Sequence, residues 1–252
     1  MKILAFESSC DETAVGVVED GRRVLSDIVA SQADLHALYG GVVPEIASRK
    51  HVEAIVGLTD EALRQADMTK QDIDAVAVTY APGLIGALLV GVSFAKSVAY
   101  GLGVPLIPVH HVRGHIAANY IAHPDLEPPF LCLCVSGGTT ALVDVQDYTH
   151  FAVLGSTRDD AAGECFDKPP GYWAWATPEA DPWTRWLRGG NDKAFTFPKA
   201  HVADHPLICP SPGSRQRCST PSTMPSRRET SWTSMTWRPP LPPPCPTPWC
   251  PG

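Results

Sequence analysis

The first 168 residues alternate short apolar runs with polar turns, and the spacing of the two predicts most of the elements. Apolar runs at 2–8, 13–19 and 24–31, the first two separated by the polar turn Ser9-Cys10-Asp11-Glu12, predict an opening meander of three strands. Pro44 stands where a helix begins, and Ile46, Val52, Ile55, Val56, Leu58 and Leu63 recur at near-helical spacing as far as Ala66. Residues 74–80 read as a buried strand. Pro82-Gly83 then turns into a helix over 84–102, whose Gly86, Gly91 and small Ala and Ser residues allow close packing and which Gly103 ends. A strand over 106–109, a helix over 111–122, strands over 130–135, 140–145 and 150–154, and a short helix over 160–168 complete the pattern. A meander, helices and a second set of strands predict an α/β architecture with mixed sheets and two lobes.

The pattern stops near residue 168, and composition changes with it. Residues 1–168 hold 11 Lys/Arg against 22 Asp/Glu, net −11, with 7 prolines and no tryptophan; residues 169–252 hold 9 against 5, net +4, with 18 prolines and all seven tryptophans. From Cys209 to Gly252, Leu241 is the only Val, Ile or Leu among 12 prolines and 13 Ser/Thr. So little apolar surface cannot offset the entropy of ordering a chain, so 208–252 is expected to be disordered. The eight cysteines show neither the close Cys-x-x-Cys pairing of a zinc site nor a small disulfide scaffold, and reduced thiols are expected. The apolar run around 84–94 is broken by glycines and shorter than the roughly 20 residues of a membrane span, and the N-terminus lacks a signal-peptide pattern. The expected location is the cytoplasm.

Four clusters could carry chemistry. Ser136-Gly137-Gly138-Thr139-Thr140 lies between two strands, where missing β-carbons let backbone N–H groups approach a phosphate; a plain hairpin turn has the same sequence. The Ser8-to-Thr13 turn offers hydroxyls and carboxylates beside a strand end, and a solvated hairpin would look alike. His111 and His115 are four apart on a predicted helix and share a face, as two imidazoles binding one metal do. A zinc protease needs Glu directly after the first histidine, and Val112 stands there. Asp159, Asp160, Glu164 and Asp167 surround a short helix, an ordinary acidic first turn or a ligand-binding group.

Phe6-Glu7-Ser8-Ser9-Cys10-Asp11-Glu12-Thr13, the stretch from Gly40 to Arg49, Pro82-Gly83-Leu84, His111-x-x-x-His115, Val135-Ser136-Gly137-Gly138-Thr139 and the stretch from Asp159 to Glu164 occur in an order that resembles the TsaD (Gcp, YgjD) family. That family comprises tRNA threonylcarbamoyl-adenosine transferases, formerly described as O-sialoglycoprotein endopeptidases. The resemblance is continuous over 1–168. It implies an actin/Hsp70/sugar-kinase-like fold of two ribonuclease-H-like lobes, the first over 1–110 and the second beginning at 111–168 but incomplete. It implies transfer of threonylcarbamoyl from threonylcarbamoyl-AMP, made from ATP, to the N6 amine of the adenosine beside the anticodon. By the same resemblance His111 and His115 hold one iron (Fe2+) or zinc per subunit. Cys134, Val135, Ser136, Gly137 and Gly138 line the adenylate, Asp167 holds the nucleoside, and Asp11 and Glu12 lie near phosphates or metal. No catalytic acid or base is assigned. Implied partners are tRNA, TsaB, TsaE and a TsaC-type adenylate synthase as donor. Thr139 replaces the histidine usual after Ser-Gly-Gly.

Beyond Lys168 the family's helix and Gly-Tyr-Pro-Gly-Gly turn are replaced by Pro169 to Leu187, while 188–207 resembles the family again. Permitted codons read in a shifted frame restore family-like sequence both at 169–187 and from 208, so two reading-frame disturbances are expected; a Pro-rich interaction tail is the alternative. The family's third metal ligand, a later aspartate, has no counterpart, and impaired activity is expected. A glycoprotein metallopeptidase and a non-catalytic nucleotide- or partner-binding fragment are the competing classes.

Overall fold

Leu4 and Phe6 alternate along β1 (Lys2–Glu7) and are buried on one face of a five-stranded sheet, the edge of Phe6 meeting the Phe94 ring at a centroid distance of 5.4 Å. The computed structural model describes residues 1–157 and 161–164. Beside β1, β2 (Glu12–Glu19) and β3 (Arg23–Ser31) complete an antiparallel meander. On its other side β4 (Ala75–Ala81) and β5 (Leu106–His110) run parallel to it, giving the order β3-β2-β1-β4-β5. Two antiparallel strands joined to a parallel trio are the arrangement expected of a ribonuclease-H-like lobe. β4 is buried over Ala75, Val76, Ala77, Val78 and Thr79, as a parallel strand covered on both faces should be.

Between β3 and β5 run α1 (Ala33–Ala37), α2 (Pro44–Gln65) and α3 (Ile85–Leu102). Pro44 starts α2 where its missing N–H costs nothing, and Gly103, at φ 70°, closes α3 in the left-handed conformation. The buried stripe of α3 is Ala87, Gly91, Ala95 and Ala99, so the helix backbone lies close to the sheet. A β-carbon on Gly91 would stand 2.3 Å from Ser8 Oγ, and that hydroxyl donates to the Ala87 carbonyl at 2.9 Å. Taken as a whole, the 18-residue helix is long and apolar enough to cross a membrane by length and composition alone. Its small-residue stripe packs instead on β1 and β4.

α4 (His111–Ala122) follows β5 without a loop and leads to a second sheet, the antiparallel meander β6 (Phe130–Val135), β7 (Thr140–Val145) and β8 (Phe151–Ser156). Ile116 of α4 packs with Ala141, Val143 and Val145. The opposite face leaves Leu131, Leu133 and Val135 more than half exposed. Across the two sheets, Arg22 in the β2–β3 turn donates to the carbonyls of Pro124 (2.7 Å) and Leu126 (3.0 Å) and to Tyr148 Oη (3.1 Å), with its guanidinium 5.1 Å from the Tyr120 ring centre.

Three details depart from the sequence pattern. The five-residue α1 and a single 3-10 turn, Lys70–Asp72, have no apolar periodicity to reveal them. Side-chain bonds hold both: buried His36 joins Gln32 Oε1 (3.1 Å) and accepts from the Val43 N–H (3.2 Å), and Thr69 and Asp72 form a reciprocal cap. The last strand begins at Phe151 and not His150, because Asp147 accepts the N–H groups of Thr149 and His150 and draws both into the turn. The helix over 160–168 lies largely, and the segments 169–187, 188–207 and 208–252 entirely, outside the described residues.

The contact between Gly91 and Ser8 is open to a double-mutant cycle read by urea unfolding. Gly91→Ala should cost about 1–3 kcal/mol by overpacking. Ser8→Ala should cost about 1 kcal/mol for its buried hydrogen bond. Because the second change removes the atom the first collides with, the double variant should lose less than the two singles together.

Candidate functional site

In a sheet with parallel strands, ligands collect beyond the carboxyl ends of those strands. Here β1 ends at Glu7, β4 passes through Thr79 to Ala81, and β5 ends at His110, so the next residue, His111, opens α4 at that same edge. The turn after β1 is held in place by the loop before α3. The Leu84 N–H donates to the Ser9 carbonyl at 2.7 Å, and a β-carbon on Gly83 would fall 2.5 Å from that oxygen, so only glycine fits. From beneath, fully buried His51 of α2 is bonded to Thr13 Oγ1 (2.7 Å) and to the Cys10 carbonyl (3.0 Å).

The spacing of the two histidines does what the sequence pattern predicts. His111 and His115 meet with Nε2 atoms 2.9 Å apart and rings edge to face at 4.4 Å. The other nitrogen of His111, Nδ1, lies 3.2 Å from Glu7 Oε2 and 3.2 Å from Ser9 Oγ. Burial, and then the neighbouring His111, lower the His115 pKa below the ordinary imidazole value, which favours the neutral form a metal needs. Burial alone would raise Glu7; hydrogen bonds from the Ser9 hydroxyl, Thr79, the Ser9 N–H and His111 outweigh it and hold the carboxyl below its usual range. Two imidazoles with converging Nε2 atoms suit iron or zinc, although no group of three or more His, Cys, Asp or Glu gathers among the described residues.

Glu7 and Ser9 are the participants that sequence reasoning left without a role. The available signal was a carboxylate ending an apolar strand, but strand order was needed to bring it to a histidine 104 positions away. Asp11 and Glu12 lie one turn further on: the Asp11 carbonyl accepts from the Gln32 N–H at 3.0 Å, and exposed Glu12 opens β2. It is Glu7, and neither of these, whose carboxylate reaches His111. Cys10 beside them has its thiol pushed up to about 11, by burial first and then by the Asp11 charge.

Ser136, Gly137, Gly138 and Thr139 form the β6–β7 turn. The Ser136 N–H donates to the Thr139 carbonyl (2.7 Å) and the Thr139 N–H to Ser136 Oγ (3.1 Å). Gly163 sits on one side of it, donating to the Ser136 carbonyl at 3.2 Å, with no room for a β-carbon, which would meet Gly137 Cα at 2.7 Å. Gly137 and Gly138 themselves have ordinary φ values and open space where a β-carbon would project. Cys134 is buried, which pushes its thiol up, while Val135 is exposed. Among the described residues no hydrogen bond, ion pair or ring contact joins this turn to the histidines. Asp159, Asp160 and Asp167 lie outside the described residues.

The sequence matches the family model described as TsaD, tRNA N6-adenosine threonylcarbamoyltransferase, over residues 23–211. Proteins of that name from Clostridium perfringens (strain 13 / Type A) and Clostridium novyi (strain NT) are 57% and 56% identical over 205 and 204 residues, 81% of this chain in both cases. The alignments cover 60% of either relative, so the chain spans less than two thirds of their length. Similar solved structures include ROK hexokinase from Thermus thermophilus (18% identity, 77% of this chain and 71% of that one, TM-score 0.43) and YeaZ from Pseudomonas aeruginosa (14%, 60% and 66%, TM-score 0.39).

The raised Cys10 thiol predicts sluggish alkylation. At pH 8 a pKa of about 11 in place of 9.0 leaves about a hundredfold less thiolate, partly offset by its higher nucleophilicity, for a net rate about tenfold below that of an ordinary exposed cysteine. Peptide mapping after a timed iodoacetamide pulse reads this directly, and Asp11→Asn should speed the labelling.

Proposed function

The chain belongs to the TsaD family of tRNA N6-adenosine threonylcarbamoyltransferases, and on that premise we propose that its site serves transfer of a threonylcarbamoyl group from threonylcarbamoyl-AMP to the N6 amine of the adenosine beside the anticodon. The observation that carries the reading is the His111 and His115 pair, converging at the mouth of three parallel strands. His111 and His115 would hold iron or zinc. Such an ion supplies a Lewis acid that orients the mixed anhydride and polarises the carbonyl under attack. The amine adds to that carbonyl carbon, a C–N bond forms, the bond to the phosphate oxygen breaks, AMP leaves, and the amine's proton passes to solvent or the leaving group. The open sides of Gly137 and Gly138 support adenylate binding at the β6–β7 turn, since neither conformation nor packing requires glycine there.

Partners complete the reading. Net −11 over residues 1–168 repels a polyanion, so the grip on tRNA falls to other surfaces or to partner proteins of the TsaB and TsaE type. Exposed Val52 and Val56 on α2, with Ile85 and Leu89 on α3, offer an apolar helical face to such a partner. A peptidase is disfavoured by Val112, which occupies the place of the needed general base. The proposed location is the cytoplasm, where tRNA is modified. The Trp- and Pro-rich stretches after Lys168 are proposed to arise from two shifts of reading frame, which sequencing codons 160 to 255 from fresh genomic DNA tests.

The activity test supplies ATP, threonine, bicarbonate, an adenylate synthase, partner proteins and tRNA, and counts threonylcarbamoyl-adenosine by mass spectrometry. A form with family-like sequence restored after residue 168 should modify tRNA, and His111→Ala or His115→Ala in it should lower the rate about a hundredfold or more. The chain as it stands should work poorly. Unchanged rates in both histidine variants would end the reading.

A further inference from the structure

The Glu7 side chain already accepts the Ser9 N–H at Oε1, and an ionised carboxylate can only accept. The 3.2 Å contact between Glu7 Oε2 and His111 Nδ1 therefore requires the proton to sit on Nδ1. Ser9 Oγ, 3.2 Å from the same nitrogen, can act as a second acceptor. With Nδ1 protonated, neutral His111 carries its lone pair on Nε2. That atom is 2.9 Å from His115 Nε2, which must then be the donor. Proton positions thus run in one direction along the chain, from His115 to His111 to Glu7.

We propose that Glu7 is the positioning residue that fixes the His111 tautomer, leaving its Nε2 lone pair available for a metal on the side that faces His115. This rests on the reading of His111 and His115 as metal ligands. Glu7 suits the role because it is itself held: the Ser9 N–H donates to Oε1, and the Ser9 turn is pinned by the Leu84 N–H and the Gly83 approach. An unrestrained neutral histidine favours the proton on Nε2, which a metal must displace; Glu7 removes that cost at His111, whereas His115 gives up its Nε2 proton on binding. A ligand histidine whose second nitrogen loses its carboxylate typically costs 10- to 100-fold in metal affinity.

The isostere Glu7→Gln makes the sharpest test, on the metal-free full chain. Its amide oxygen keeps the bond from the Ser9 N–H, which turns the NH2 group toward His111 Nδ1, a donor where an acceptor stood. His111 must then move its proton to Nε2. Long-range 1H–15N correlation spectra on 15N-histidine protein at pH 8 distinguish the two tautomers. In the unsubstituted chain, His111 should show Nδ1–H and His115 Nε2–H; in Glu7→Gln the His111 pattern should reverse. Zinc titration by calorimetry should show a 10- to 100-fold weaker Kd for Glu7→Gln and for Glu7→Ala. His111 found as Nε2–H in the unsubstituted chain, or an unchanged tautomer in Glu7→Gln, overturns the proposal. An unchanged zinc Kd in both variants does so too. If the tautomers behave as stated but the unsubstituted chain takes up no zinc, the tautomer assignment stands and the metal reading beneath it falls.

Discussion

The site depends on how closely α3 approaches the end of β1. Gly91 lets the helix backbone settle over Ser8, Ser8 bonds back to the Ala87 carbonyl, and Gly83 lets the preceding loop close on the Ser9 carbonyl. Three small residues thereby fix a turn of two serines to within hydrogen-bond tolerance. The Glu7 carboxylate inherits that precision, since it is bonded within the same turn, and His111 receives it across the sheet edge. Interiors are packed densely enough that one misplaced methyl group is felt several residues away. A displacement at Gly91 would therefore reach the imidazoles without touching them.

Much of this was legible in the chain. Period-two runs located the strands because each first-sheet strand buries at least one face, and the predicted bounds of α4, β6 and β7 are those of the structure. The histidine pair was legible because helical spacing alone puts positions 111 and 115 together. What stayed hidden depends on tertiary partners. α1 exists through the bonds of His36 to Gln32 and Val43, which have no period to detect. Glu7 acquires its neighbour only once β4 separates β1 from β5 in a parallel order, a fact of topology that local pattern does not contain.

The two sheets are unequal. The first is covered by α2 and α3 and owns an extended core from Leu4 to Ala99. The second has a smaller core around Ile116 and Val145, and Leu131, Leu133 and Val135 lie open on its far face. Apolar side chains set alternately along one strand are normally buried by a facing layer. Their exposure among the described residues agrees with a chain that spans only part of its relatives' length.

Arg22 gives this asymmetry a mechanical side. Among the described residues the two sheets are joined by α4 and, through the β2–β3 turn, by the Arg22 guanidinium, which grips two carbonyls, a tyrosine hydroxyl and an aromatic face. Two attachments turn a hinge into a braced frame. With both intact, rotation of one sheet against the other must strain one of them, and α4, which carries the histidines, is the shared beam. The orientation of the imidazoles is thus referenced to both sheets at once, by a strut fixed at a hairpin that contains none of the chemistry.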